Sequence, residues 1–179
     1  PLFFVGGGAV LAGASVALRE RALELQIPVV STLMGLGAFD TKHPLSMHML
    51  GMHGTAFANY SVEDCDLRLA LGARFDDRVA GNPAKFAPGA KYIAQIDIDA
   101  SEIHKVKRVD WHHVGLLPEA LRALKAYARR IGFKRDWSAW HAHCAELKRQ
   151  HAMNYDRASE LIQPYHVIEE INKLTRGEA

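Results

Sequence analysis

The sequence predicts an α/β fold of the doubly wound, Rossmann-like kind: a parallel sheet with helices on both faces, followed by a helical C-terminal extension. Two observations predict it. Short apolar runs alternate with segments of helical periodicity, and each clear apolar run ends in a loop that carries Gly or Asp. Strands buried on both faces are continuously apolar, and helices between them favour parallel pairing with right-handed crossovers. Ligand-binding loops are therefore expected together at the carboxyl edge of the sheet.

The first strand is predicted at residues 2–5 and runs directly into Gly6, Gly7 and Gly8. One amphipathic helix is expected next, because apolar side chains recur at helical spacing: Leu11, Ala14, Leu18, Ala22 and Leu25. The glycine turn has two interpretations. It is either a tight turn without a ligand or an anion site at a helix N-terminus, and without the spacing G-x-G-x-x-G the motif leaves both open.

The second strand is predicted at residues 28–31 and is followed by a loop at residues 32–37. The two glycines of that loop suit a chain that folds tightly beside a ligand. Residues 40–50 include Pro44 and are predicted to be irregular. A helix is expected at residues 55–60, with the glycines of the preceding turn at its start.

A third strand is predicted at residues 66–71, where Arg68 interrupts the apolar run. The loop that follows it is more informative about function than any other in the chain. Four charged side chains follow Gly72 in close succession: Arg74, Asp76, Asp77 and Arg78. An exposed turn with local ion pairs is the usual explanation of such a mixed-charge run. The alternative is an arginine that faces a phosphate or carboxylate and is oriented by the aspartates. The position at the carboxyl end of a strand favours this second interpretation.

A fourth strand at residues 92–96 ends in an acidic segment, residues 97–102. That segment either caps the next helix, with Asp99 or Ser101 as N-cap, or accepts hydrogen bonds from ribose hydroxyls, and both interpretations stay open. Turns are predicted around Pro83 and Pro88. A short final strand is expected at residues 114–116. Pro118 then opens a helix, whose inner face carries Leu121, Leu124 and Ala128.

The predicted organisation has three segments: an α/β domain at residues 1–131, a helical linker at 132–163 and the start of a further domain at 164–179. The linker carries an aromatic and apolar stripe at helical spacing, which is typical of an amphipathic helix packed on a core: Trp137, Trp140, Cys144, Leu147 and His151. The chain starts within a strand at Pro1 and ends just after a helical pattern. We therefore expect both ends to be cut from a longer protein.

The composition favours a cytoplasmic globular protein. The net charge of +2 is spread along the chain, which gives no case for nucleic acid or a membrane surface as partner. Cys65 and Cys144 are far apart and predict reduced thiols rather than a disulfide. No apolar run approaches membrane-spanning length. The histidines have no spacing typical of metal ligands, so no metal site is predicted.

Four segments together resemble the central domain of acetolactate synthase (acetohydroxyacid synthase) large subunits: residues 28–39, 49–54, 72–78, and 96–99 with Glu102. The resemblance covers about residues 1–125, with the motifs in the family's order and spacing. It implies a thiamine-diphosphate- and Mg²⁺-dependent transferase that decarboxylates pyruvate. The product would be 2-acetolactate and CO2 from two pyruvate molecules, or the corresponding adduct with 2-oxobutyrate. It also implies FAD bound to this domain in a structural role.

The resemblance assigns site residues position by position. Arg78 would face the substrate carboxylate, with Met52 and Asp77 near the substrate entrance. The residues that would contact FAD are Gly6, Gly7, Gly8, Thr32, Leu33, Met34, Leu50, Gly51, Met52, His53, Gly72, Ala73, Arg74, Asp76, Arg78, Asp97, Ile98 and Glu102. No catalytic residue is assigned, because the thiamine-activating glutamate and the metal–diphosphate motif belong to other domains of the family. The chain alone is expected to be inactive.

Two positions depart from the family pattern. Asp40 replaces the usual proline, and Leu116 replaces an aspartate that usually faces the flavin nucleotide, which removes one polar contact. The family also implies a homo-oligomer, a regulatory small subunit and 2-oxo acid substrates. The alternative hypothesis is a stand-alone nucleotide-binding module of the NAD type, or a regulatory module, built on a related sheet.

Overall fold

A computed structural model describes residues 1–82, 86 and 89–177. Within these residues six strands form one sheet in the order β3-β2-β1-β4-β5-β6, and every neighbouring pair is parallel. The order reverses between β1 and β4, which confirms the doubly wound α/β fold. The strands are Leu2–Val5 (β1), Val29–Ser31 (β2), Ser46–Met49 (β3), Leu67–Leu71 (β4), Tyr92–Asp97 (β5) and Trp111–Val114 (β6).

The helices cover both faces of this sheet, as the sequence predicts. They are Gly7–Leu11 (α1), Ser15–Leu25 (α2), Ala56–Asp64 (α3), Asp77–Ala80 (α4), Leu117–Arg130 (α5), Ser138–Gln150 (α6) and Pro164–Leu174 (α7). Helix α2 packs beside α5, and α3 packs beside α6. Each pair contributes buried side chains to a separate hydrophobic core.

Strand β1 is continuously apolar because both of its faces are buried. Successive side chains of a strand point to opposite faces. Leu2 and Phe4 join the core under α3 and α6, whereas Phe3 and Val5 join the core under α2 and α5. Phe4 also stacks on Phe75, with ring centroids 5.5 Å apart. A strand between two helical layers has no solvent face on which to place a polar residue.

Arg68 interrupts the apolar run of β4 but does not break the strand. Its side chain is fully buried and Nη2 donates a hydrogen bond of 2.6 Å to the Val62 carbonyl oxygen. The guanidinium carbon lies 4.8 Å from the centre of the Phe86 ring, within the range of a cation–π contact. Both contacts offset part of the cost of burying this charge.

The single helix predicted after the glycine turn is two helices, because the chain turns at Gly13 between α1 and α2. Gly13 has a φ of +63°, a conformation that ends a helix and that glycine adopts without strain. The predicted apolar stripe is correct from Ala14 onward, and Leu18 is 0% exposed. It is wrong at Leu11, which lies on α1 and is 89% exposed.

Two edge strands differ from the prediction. Residues 40–50, expected to be irregular, contain β3, and the last strand is β6 at Trp111–Val114 rather than at 114–116. An edge strand pairs on one side only, so it does not need a continuous apolar sequence. All four residues of β6 are exposed, and β3 contains two polar residues, a shifted register with β2 and a positive φ at His48.

The C-terminal extension is helical, as predicted, and contains α6 and α7. Cys144 and Leu147 of α6 are buried in the core beneath α3, as the amphipathic stripe predicts. Cys65 and Cys144 are free thiols; burial raises the pKa of both, that of Cys144 to about 12. In the described part of the chain, no helix is long and apolar enough to cross a membrane. Pro83 and Pro88, where turns were predicted, lie outside the described residues, as do residues 178 and 179.

We expect Leu18→Ala to lower the free energy of unfolding by about 2–5 kcal/mol, because it opens a cavity in a closed core. The matched control is Leu11→Ala, which removes the same atoms from an exposed position and should change stability by less than about 0.5 kcal/mol. Urea unfolding of the three proteins without added ligand measures both. Equal losses in the two variants would show that α1 and α2 continue one buried stripe.

Candidate functional site

A cleft of about 420 Å³ opens at the carboxyl ends of β1, β2, β4 and β5, where the strand order reverses. This is the place where open parallel sheets bind their ligands. The cleft brings together twelve of the residues that the resemblance assigns to a cofactor site: Gly6, Gly7, Gly8, Thr32, Leu33, Met34, Gly72, Ala73, Arg74, Asp76, Arg78 and Asp97. Leu11 and Val79 complete its lining.

The floor of the cleft is a crossing of two backbones. The loop after β1 touches the loop after β4: Gly6 N–H donates to the Leu71 carbonyl oxygen at 3.1 Å, and Gly8 N–H donates to that of Gly72 at 3.0 Å. A Cβ on Gly6 would lie 2.3 Å from the Gly72 carbonyl oxygen. Only a residue without a side chain fits there. The glycine turn is therefore required by the packing of the two loops, whether or not a ligand binds above it.

One wall of the cleft is apolar yet open. The loop after β2 forms a 3₁₀ turn, Leu33–Gly35, anchored by the hydrogen bond of 2.8 Å from Thr32 N–H to the Val5 carbonyl oxygen. Leu33 and Met34 are 67% and 72% exposed, and Leu11 of α1 stands beside them in the cleft lining. Three large exposed apolar side chains at one cleft suit a ligand with an apolar or aromatic part.

The opposite wall is charged. Arg74 and Asp76 approach to 3.9 Å, as do Arg78 and Asp77, and all four side chains are at least 42% exposed. Exposed ion pairs of this length contribute little to stability. Asp76 Oδ1 is buried and lacks a hydrogen-bond partner among the described residues. An orphaned carboxylate oxygen beside a cleft is typical of a group that awaits a donor from a ligand.

A second cleft of about 380 Å³ adjoins the first and shares Arg78 and Val79 with it. It contains the three residues that the resemblance places near the substrate: Met52, Asp77 and Arg78. Met52 N–H donates a hydrogen bond of 3.0 Å to the Arg78 carbonyl oxygen, so the turn that carries Met52 rests on α4. The predicted substrate side and the predicted cofactor side thus meet at one arginine.

Four predicted cofactor residues line neither cleft. Leu50 is buried in the core, His53 and Ile98 are exposed, and the Glu102 carboxylate pairs with the Lys105 ammonium at 2.7 Å. The sequence reasoning missed Leu11, which it placed in the core, and Val79, which lies on α4. The signal for Val79 is its place one residue after Arg78 in a helix that starts with an aspartate.

In the acidic segment after β5, the N-cap interpretation is confirmed at Asp99, and the ribose interpretation stays a prediction. Asp97 lines the first cleft, and its Oδ1 accepts a hydrogen bond of 3.1 Å from Asp99 N–H. Asp99 is an N-cap: its carboxylate accepts a bond of 2.8 Å from Ser101 N–H at the 3₁₀ turn Ala100–Glu102. The hydrogen bonds from Ser101 lower the pKa of Asp99.

The two departures from the family pattern lie in different surroundings. Gly115 N–H donates to the Asp97 carbonyl oxygen at 2.9 Å, and the next residue, Leu116, is the N-cap of α5. The Leu116 side chain is exposed and supplies no capping hydrogen bond. Asp40 forms a local turn, in which its Oδ1 accepts from Lys42 N–H at 2.9 Å. Among the described residues, no three His, Cys, Asp or Glu side chains are grouped as metal ligands.

The amino-acid sequence is similar to sequences of known proteins. Residues 1–124 match the family model "Thiamine pyrophosphate enzyme, central domain". The whole chain is 43% identical to acetolactate synthase 1, chloroplastic, of Zea mays, and 44% identical to acetolactate synthase 1, chloroplastic, of Nicotiana tabacum. Over 90% of its length it is 41% identical to the acetolactate synthase isozyme 2 large subunit of Escherichia coli (strain K12). The chain spans only 27–28% of the length of these relatives.

We expect Gly6→Ala to lower the free energy of unfolding by about 1–3 kcal/mol, because the added methyl group meets backbone atoms that cannot move aside. Gly115→Ala is the matched control. There the nearest atom is Nε2 of His113, at the far end of an exposed side chain that can rotate away. Thermal or urea unfolding compares the two variants. A Gly6→Ala protein as stable as Gly115→Ala would show that the two loops do not touch.

Proposed function

The chain belongs to the thiamine pyrophosphate enzyme family, whose central-domain model matches residues 1–124. We propose that it is the central domain of an acetolactate synthase large subunit. The observation that carries the proposal is the extent of the similarity, which reaches 43–44% identity along the whole chain. The proposed reaction of the complete protein joins two pyruvate molecules into 2-acetolactate with release of CO2, or joins pyruvate to 2-oxobutyrate.

In the proposed function the first cleft holds FAD. The residues present fit such a group in two ways. Asp76 Oδ1 is buried without a donor, and Leu11, Leu33 and Met34 form an apolar wall. Bound flavin in this role supplies a rigid scaffold and no electron transfer. Arg74 is available to a phosphate through its guanidinium, and Asp76 to a hydroxyl donor.

An NAD-type site is the weaker alternative. Dinucleotide folds of that type usually hold the ribose with a carboxylate about twenty residues beyond the glycine turn, at the end of the next strand. Here β2 ends at Ser31 and is followed by Thr32. The charged groups of this site come instead from the loop after β4 and from Asp97 at the end of β5. This arrangement counts against an NAD-type site.

On the substrate side, we assign Arg78 to the carboxylate of the 2-oxo acid. A guanidinium binds a carboxylate through two parallel hydrogen bonds, and the Arg78 side chain is 72% exposed at the junction of the two clefts. Met52 and Asp77 stand at the entrance of the second cleft. This chain's part in the reaction is to bind and orient the substrate. Thiamine diphosphate and Mg²⁺ are assigned to other parts of the complete protein.

The relatives are more than three times as long as this chain, so the remaining parts of the proposal concern a larger molecule. We propose limits of 1–131 for the cofactor domain, 132–163 for the linker and 164–179 for the start of the next domain. A homo-oligomer, a regulatory small subunit and a cytoplasmic location belong to the same proposal. The names of the Zea mays and Nicotiana tabacum relatives describe those proteins as chloroplastic.

We expect the purified chain to bind FAD in preference to NAD, and Asp76→Ala to weaken FAD binding by roughly 10- to 100-fold, because a hydrogen bond to a charged acceptor is lost. Titration followed by flavin fluorescence, with mass measurement of the released ligand, gives both results. Asp136→Ala, which changes an exposed aspartate of the linker, is the control and should keep the parent affinity. Binding of NAD but not FAD would contradict the assignment.

We expect the 179-residue chain to form no acetolactate from pyruvate with thiamine diphosphate, Mg²⁺ and FAD present. In contrast, a chimera of the E. coli isozyme 2 large subunit that carries this chain in place of its matching segment should form acetolactate. A colorimetric assay for acetolactate measures both. Thiamine-dependent product from the chain alone would refute the first expectation. A soluble, FAD-loaded chimera without activity would refute the proposed function.

A further inference from the structure

Asn59 of α3 makes a two-point contact with one glycine of the second cleft. Its Oδ1 accepts a hydrogen bond of 2.8 Å from Gly51 N–H, and its Nδ2 donates one of 3.1 Å to the Gly51 carbonyl oxygen. We propose that Asn59 is a positioning residue that fixes the turn at Gly51 and Met52 against Arg78. The inference rests on the proposed function for the roles of Met52 and Arg78.

The chemistry of the carboxamide explains why this side chain suits the position. Asn carries an acceptor and a donor a short distance apart on one planar group. Gly51 presents a backbone donor and a backbone acceptor, and it is buried. Both of its polar groups need partners in that environment. An alanine at position 59 would leave the Gly51 N–H without this partner, whereas its carbonyl oxygen would keep the bond of 3.0 Å from Gly54 N–H.

The fixed turn bears directly on the substrate-side residues. Gly51 has a φ of +96°, and a Cβ there would lie 2.7 Å from the Arg78 carbonyl oxygen. The next residue, Met52, donates its N–H to that same oxygen at 3.0 Å. A continuous path of contacts thus leads from α3 through Asn59 and the turn to α4. The turn thus contacts the backbone of Arg78 directly, in a helix that is only four residues long.

The fold of α3 does not depend on Asn59. Its first turn is capped by Thr55, whose Oγ1 accepts a hydrogen bond of 3.2 Å from Ala58 N–H. Phe57, Ala58 and Val62 fix the helix in the core. Alanine is also a better helix former than asparagine. Replacement of Asn59 by alanine should therefore cost the helix little stability. The effect of the substitution should be confined to the turn at Gly51 and Met52.

Amide hydrogen exchange of the purified chain tests the proposal without FAD or pyruvate. In Asn59→Ala we expect exchange at Gly51 and Met52 to rise at least roughly tenfold, with exchange at Phe57 and Val62 unchanged. Asn59→Asp keeps the acceptor for Gly51 N–H and should give a smaller rise there. Glu63→Ala, one turn further along the exposed side of the same helix, is the matched control and should match the parent.

Two results would overturn the proposal. Unchanged protection of Gly51 and Met52 in Asn59→Ala would show that the contact holds nothing in place. An equal rise at Phe57 and Val62 would show that Asn59 supports the helix rather than the turn. Because the exchange measurement needs no ligand, a failure here is distinct from a failure of FAD to bind, which would count against the proposed function alone.

Discussion

The contact between the backbones of Gly6 and Gly72 is the constraint on which the candidate site depends. Two neighbouring parallel strands, β1 and β4, lead their chains in opposite directions around the sheet, and their loops must separate above the strand ends. Here the loops cross in contact before they separate, through hydrogen bonds of 3.0–3.1 Å. The crossing sets the depth of the cleft. It also puts the charged residues after β4 opposite the apolar turn after β2.

The two hydrophobic cores give this crossing a rigid base. The central strands place alternate side chains in opposite cores, so a shift of one strand by one residue would exchange its buried side chains between two differently shaped spaces. The register of β1, β4 and β5 is fixed in this way, and with it the height at which each loop leaves the sheet. The loops contain the candidate site residues, and the helices α2, α3, α5 and α6 pack against the strands from which these loops emerge.

Much of the fold can be predicted from the sequence, because the central strands are apolar throughout and their loops carry glycine and aspartate. The edge strands β3 and β6 cannot be predicted in the same way, since one-sided pairing permits Ser, His and Trp in them. Leu11 was misplaced for another reason. Periodicity alone does not reveal that the chain turns at Gly13. Leu11 therefore fits the spacing of the core residues although it lies in the cleft.

For the site, the sequence predicted that the loops after the central strands meet at one sheet edge, and the glycine turn and the loop after β4 do line one cleft. Prediction was weakest where a role depends on a contact across the fold. Asn59 is eight residues from Gly51, and no spacing rule connects them before α3 and the turn are placed in space.

The position of Arg78 between two clefts has a thermodynamic consequence. A guanidinium shared by two sites cannot be fully satisfied by both at once unless each occupant tolerates the orientation that the other prefers. An occupant of one cleft that draws this side chain toward itself changes the free energy of binding in the other. Reciprocity then requires the second occupant to act on the first by the same amount. A single shared side chain is thus enough to make two adjoining sites cooperative or antagonistic, without movement of the sheet beneath them.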